Sequence, residues 1–185
     1  MMVSSSIIAN NTYYNWGVSG ELENYGGGVS VFLQSKLSPK LIFDLEGSWT
    51  LVQDGTGIYS YNYYTDQYVL LNTQNLSFAK CVSDIAIFPW ANSMHESFNL
   101  GFFLGGGPVW SLNTQEHIGF IERWKAVETV QSFYSRGGIQ ANIKSSAVRV
   151  YRIRLGYDQV KFDSIIDYRN DYKGLFMQFG LEFQF

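Results

Sequence analysis

Along most of this chain apolar and polar residues alternate one for one, the period of a β-strand with one apolar face. The last stretch shows this most plainly. From Lys173 to Phe185, Leu175, Met177, Phe179, Leu181, Phe183 and Phe185 share one face. Gly174, Gln178, Gly180, Glu182 and Gln184 share the other, where Phe176 is the one large apolar exception. A terminal strand ending on a bare aromatic gains nothing in water. Here the aromatic is the end.

The same rhythm predicts seven strands upstream. Tyr14, Trp16, Val18 and Leu22 alternate with Asn15, Gly17, Ser19 and Glu21, and the glycines of Asn24-Tyr25-Gly26-Gly27 read as a tight turn. Val29, Val31 and Leu33 then oppose Ser30, Gln34 and Lys36 up to Leu37-Ser38-Pro39-Lys40, where Pro39, which cannot donate within a ladder, belongs in a turn. The third strand sets Leu41, Phe43, Leu45, Trp49 and Leu51 against Ile42, Asp44, Glu46, Ser48 and Thr50. Its span of about ten residues suits a tilted membrane strand. Asp54 to Thr73 breaks the pattern and reads as a long loop. Asn75 to Phe88 is the least regular strand, with Ala79, Cys81, Ile85 and Ile87 outward and Lys80 and Asp84 inward. Pro89 to Ser97 turns the chain, and Asn99 to Trp110 carries Leu100, Phe102, Leu104 and Pro108 on one face. After a polar segment from Ser111 to Gln131, the strand Phe133 to Lys144 sets Ile139, Ala141 and Ile143 against Tyr134, Arg136, Gln140 and Asn142. A turn at Lys144-Ser145-Ser146 leads to Tyr151, Ile153, Leu155 and Tyr157 alternating with Arg152, Arg154, Gly156 and Asp158, and a third loop from Gln159 to Tyr172 reaches the terminal strand. The expected organisation is a lead at residues 1–12 and one β-domain at 13–185.

Composition changes the picture in one respect. The 185 residues are 17% aromatic and only 16% charged, yet mean hydropathy is -0.08. No apolar run approaches the roughly 20 residues of a spanning helix, so a membrane role requires strands whose apolar residues are diluted by alternation. A net charge of -3 and a pI near 5.3 leave no basic stripe for phosphates, which excludes nucleic acid as a partner. The single Cys81 excludes an internal disulfide framework or a multi-cysteine metal site. Met1 to Asn10 has no charged start and too short an apolar stretch for an export signal. A signal is therefore expected to have been removed, or the start to lie elsewhere.

Which face is buried follows from the polar side. Asp44, Glu46, Lys80, Asp84, Arg136, Arg152, Arg154 and Glu182 nearly balance in sign. An eight-strand barrel has an interior just wide enough for side chains, where opposite charges can pair across it and an unpaired one is costly. The apolar face then meets lipid, with aromatic belts at both interfaces, and closure removes every sheet edge. The fold expected is all-β: an eight-stranded antiparallel up-and-down transmembrane β-barrel with inside-out polarity.

The terminal residues carry a resemblance. Gln178, Gly180, Phe183 and Phe185 fill the slots of a motif similar to the C-terminal β-signal of bacterial outer-membrane barrels, which implies reading by the barrel assembly machinery. The whole chain resembles the small eight-stranded outer-membrane barrels of the OmpA/OmpX type. That resemblance implies a bacterial outer-membrane location with both termini periplasmic, contact with outer-membrane lipid and lipopolysaccharide, and a non-enzymatic structural or surface-interaction role without a cofactor. No peptidoglycan-binding domain is expected after Phe185, so the cell-wall-tethering role of larger members is not expected.

Three functions are weighed. The first is a barrel whose loops contact a partner protein, a larger envelope complex or a surface, with Tyr59, Tyr61, Tyr63, Tyr64 and Trp124 as contact candidates because such side chains give large area at low entropic cost; the same aromatics also suit belts or loop packing. The second is a lipid-modifying hydrolase. His95-Glu96-Ser97 resembles the His-x-Ser element of lipid A deacylases. It falls in a turn on the side away from the long loops, with no matching glutamate on the next strand, and Glu116-His117 lacks an oriented nucleophile. The two histidines stand at opposite ends of one strand, about 30 Å apart if it spans, which excludes a shared metal site. The third, a small pore, is opposed by the narrow interior. Gly105-Gly106-Gly107 has neither the Lys-Ser/Thr nor the helix of a phosphate loop, and reads as a strand that lets neighbours pack closely.

Overall fold

The computed structural model describes residues 14–53, 59–62, 64, 66–70, 74–91, 97–115, 120–125, 127–146, 148–166 and 169–184. In chain order these form β1 (Tyr14–Glu23), β2 (Gly26–Ser38), β3 (Leu41–Val52), β4 (Tyr59–Asn62), β5 (Gln67–Leu70), β6 (Gln74–Ile87), β7 (Phe98–Gln115), α1 (Phe120–Lys125), β8 (Glu128–Lys144), β9 (Arg149–Ile166) and β10 (Arg169–Gln184). Eight strands close an antiparallel barrel in the ring order β1-β10-β9-β8-β7-β6-β3-β2, and β4 and β5 form a separate hairpin within the β3–β6 connection. First and last strands pair directly, Asn15 with Gln184 through Glu23 with Phe176.

Alternation becomes a wall with two chemistries. On β1 the even-numbered side chains from Tyr14 to Leu22 are exposed and the odd-numbered ones from Asn15 to Glu23 are buried. The exposed side of the barrel carries Val31, Leu33, Leu45, Leu51, Ile85, Phe102, Leu104, Ile139, Leu155, Leu175 and Phe179. The inside carries Asp44, Glu46, Lys80, Asp84, Arg136, Arg152 and Arg154. Two glycines are required by close approach: a Cβ at Gly105 would overlap the Asp84 carboxylate, and one at Gly138 would overlap the Leu155 carbonyl. The Gly105-Gly106-Gly107 run is therefore strand interior. Next to it Pro108 has no N–H, and the β6–β7 ladder lapses where Cys81 and Val82 face Pro108 and Gly107.

The structure corrects the expected boundaries. Ser111 to Gln131 is strand at both ends, since β7 continues to Gln115 and β8 begins at Glu128, with the short helix α1 between them. The described residues of Gln159 to Tyr172 are all strand, with a register shift between Arg169 and Asp171. The first turn is Asn24-Tyr25 alone, and its glycines open β2.

The extension of β9 departs from the pattern for a physical reason. Near Asp158 the polarity of the wall inverts. Val160 and Phe162 keep the inward phase of Arg152 and Arg154 but are apolar, while Gln159, Lys161 and Asp163 face out. Above that level Tyr25, Leu76, Phe78, Val109, Tyr134, Val160, Phe162, Ile166 and Tyr172 form an apolar core inside the barrel. This rim is tall on one side, where β7 and β9 have 18 residues each, and low on the other, where β1 has 10.

Candidate functional site: the filled lumen and the loop end

The lumen charges sort into two levels. In the lower, Arg136, Arg152 and Arg154 meet Asp44, Glu46 and Asp84, three cations with three carboxylates, every side chain fully buried. Arg136 grips Asp84 with two donors, Nε to Oδ1 at 3.2 Å and Nη2 to Oδ2 at 2.5 Å, and donates Nη1 to Glu46 at 3.0 Å. Arg154 donates to Asp84 at 2.8 Å, to Asp44, and through Nε to Gln140 at 2.7 Å. Arg152 reaches Asp44 at 3.4 Å and Glu46 at 3.2 Å. Gln178 donates to both Glu46 oxygens, at 3.0 and 3.1 Å.

Planar guanidinium forks suit this role because each serves at least two carboxylates in fixed directions. Aromatic rings fill what remains of the section. Arg152 lies 3.4 Å over the Phe32 ring and Arg154 4.6 Å over Phe103, cation–π contacts that strengthen away from water.

In the upper level, Lys80 pairs with Glu21 at 3.2 Å and with Glu23. Thr50 donates to Glu21 at 3.1 Å. Asp158 accepts from Tyr25 Oη at 3.0 Å and from Tyr134 Oη at 3.2 Å. Those tyrosines are also the floor of the apolar core, where Tyr172 stacks edge-on against Phe78 at 5.0 Å and Tyr25 at 5.7 Å. The filling is thus continuous from ion pairs through tyrosine hydroxyls to rings.

Of the eight lumen candidates, seven lie in these two levels: Asp44, Glu46, Asp84, Arg136, Arg152 and Arg154 in the lower and Lys80 in the upper. Glu182 is apart, near the termini, accepting from Asn15 Nδ2 at 2.7 Å. The charge set omitted Glu21, Glu23 and Asp158, although alternation from Ser19 and from Arg154 carries the signal for each. In the assembly-signal set, Gln178 points into the lower level, Gly180 lies against Ser19 and Phe32, and Phe183 stacks on Trp16 at 4.8 Å. Phe185 lies outside the described residues.

The loop candidates fall at the end of the barrel opposite the termini. Tyr59 and Tyr61 are in β4, Tyr64 is fully exposed in the β4–β5 turn, and Trp124 is in α1. Tyr63 lies outside the described residues, as do the side chains of Tyr59, Tyr61 and Trp124. Two exposed apolar side chains at this end were not foreseen, Ile121 on α1 and Ile165 near the end of β9. His95, Glu96, Glu116 and His117 lie outside the described residues, and Ser97 is exposed at the termini end.

Outside the exposed apolar band the wall carries ordinary surface chemistry. Lys173 donates to Asp171 at 2.6 Å. That hydrogen bond holds the Asp171 carboxyl below its usual range and the Lys173 ammonium above its own.

No protein-family model matches the sequence, and no curated protein matches it. Solved structures are. Neisserial surface protein A superposes with a TM-score of 0.59 at 7% identity, covering 94% of this chain and 96% of that one. A major outer membrane protein from Thermus thermophilus gives 0.54 at 10% identity, covering 93% and 99%. The N-terminal β-barrel domain of Pseudomonas aeruginosa OprF gives 0.50 at 9% identity, covering 94% and 98%. At such identities the likeness is one of fold: the chain has the architecture of the small eight-stranded outer-membrane barrels.

Proposed function

We propose that this chain is a non-enzymatic bacterial outer-membrane barrel that works through its loop end, as a scaffold holding a contact surface above the membrane. The observation that carries the reading is the filled lumen. A barrel plugged at one level by six paired charges and above it by an apolar core offers no path for solute, so its working surface is what it displays. Exposed Tyr64, Ile121 and Ile165 offer apolar area at the loop end, and Tyr59, Tyr61, Tyr63 and Trp124 add to the set of contact residues. The partner is a protein, within an envelope complex or on another surface, or lipopolysaccharide. Both termini are periplasmic in this reading, and Gln178, Gly180, Phe183 and Phe185 form the segment that the assembly machinery reads.

The test reconstitutes the folded barrel in vesicles containing lipopolysaccharide. Ion flux should match that of empty vesicles. Capture of the vesicles on partner-coated surfaces should fall when Tyr64→Ala, Ile121→Ser and Ile165→Ser are combined, with the heat-modifiable gel shift retained. Steady flux through the folded barrel, or capture indifferent to the triple variant, contradicts the proposal.

A further inference from the structure

At the termini end the lumen opens below the arginine level into a pocket of about 210 Å³. Its walls face each other in a regular way. Ring order sets β1 opposite β7 and β2 opposite β8. Asn15 and Gln34 are direct partners on one wall, Asn99 and Asn142 on the other, and Lys36 and Lys144 carry the two walls on to the mouth. On the remaining sides Glu182 comes from β10, and Ile42, Phe88 and Val150 supply apolar surface.

The hydrogen-bond ledger of these residues is open in both directions. Gln34 Nε2 is a buried donor with no hydrogen bond, and Asn15 Oδ1 a buried acceptor with none. Asn15 has committed its amide nitrogen to Glu182. Asn142 accepts from Gln140 at 2.9 Å through its oxygen, which leaves its nitrogen to donate. Buried polar groups are normally satisfied. Here the open donors stand with two ammonium groups, and the open acceptor stands beside a carboxylate.

We propose that this pocket binds a zwitterion of amino-acid size. Its carboxylate sits between Lys36 and Lys144 and accepts from Gln34 and Asn142. The ammonium donates to Asn15 and Glu182. An apolar side chain lies against Ile42, Phe88 and Val150. The volume is sufficient, because a cavity of about 150 Å³ already lodges benzene. A free amino acid and a dipeptide, each carrying one ammonium and one carboxylate, share this chemistry.

The experiment titrates the folded full-length chain in micelles, following side-chain amide resonances by NMR. The probes are L-leucine, leucyl-leucine, leucinamide, N-acetyl-leucine and inorganic phosphate. Saturable shifts of the Gln34 and Asn142 amides are expected with leucine or the dipeptide, and which of them saturates first identifies the source. Leucinamide and N-acetyl-leucine, each lacking one charge, should bind about tenfold more weakly or worse. Lys36 and Lys144 are exposed, so combining Lys36→Ala with Lys144→Ala should keep the heat-modifiable band while lowering affinity by about tenfold. Gln34→Leu should lower it as well. The proposal is overturned by an absence of saturable shifts with both zwitterions, by phosphate binding as well as leucine, or by unchanged affinity in the double lysine variant.

Discussion

One set of strands builds two opposite barrels in this molecule, one above the other. In the lower section of β9, Tyr151, Leu155 and Tyr157 face out while Arg152 and Arg154 lie buried inside. A few residues later Lys161 and Asp163 face out while Val160 and Phe162 lie buried. Backbone geometry and phase are continuous through the change. What differs is the solvent outside. Where lipid surrounds the wall, apolar residues belong outward and the polar remainder must satisfy itself in the lumen. Where water surrounds it, the hydrophobic effect draws the same inward positions into an ordinary core. In the membrane reading proposed above, the inversion near Asp158 marks the membrane boundary on that strand.

The sharpest way to break the comparison is in the lower lumen. Arg154→Met removes one of two cationic partners from each of Asp44 and Asp84 and leaves three buried carboxylates facing two cations, so it should destabilise by about 3–5 kcal/mol, read by urea unfolding of the vesicle-inserted barrel. A loss below about 1 kcal/mol would mean that water reaches the network. In the rim, Phe78→Ala should cost about 3 kcal/mol in the same assay, as expected for truncating a buried ring. Added salt should leave that loss unchanged, because no charge is involved.

The outer faces differ by less. Leu155→Lys puts an ammonium among lipid tails and should cost about 2 kcal/mol. Lys161→Leu, six residues further along the same face, should stay within about 0.5 kcal/mol. Equal effects would erase the boundary. The smallest expected change is a titration. Lys173→Ala removes the hydrogen bond that holds Asp171 down, so the Asp171 carboxyl should titrate at a higher pH, nearer its usual range, by carbon-detected NMR. An unmoved titration would show that the pair does not form in solution.

Much of the lower barrel was legible because lipid enforces a simple rule there. Trp16, Val18 and Leu22 outward with Ser19 and Glu21 inward is what alternation predicts and what the structure shows. The rim was not, because a reading that equates apolar with outward loses the strand when Val160 and Phe162 turn inward. Partner choice was equally hidden. Arg136 and Asp84 are 52 residues apart and meet only because β6 and β8 flank β7 in the closed ring. The two-level sorting has no local signal either. Lys80 and Asp84 sit four residues apart on one strand, yet Lys80 joins Glu21 and Glu23 while Asp84 joins the arginines.

The native cysteine offers the most direct test of the inside-out barrel. Cys81 is exposed on the outer face of β6, opposite Gly47 on β3. A nitroxide attached there is compared, in bilayers, with one at Lys161→Cys in a Cys81→Ser background. Oxygen should relax the Cys81 label strongly while a water-soluble nickel chelate barely reaches it, and the order should reverse at position 161. A Cys81 label open to the chelate would place that face in water and contradict the account.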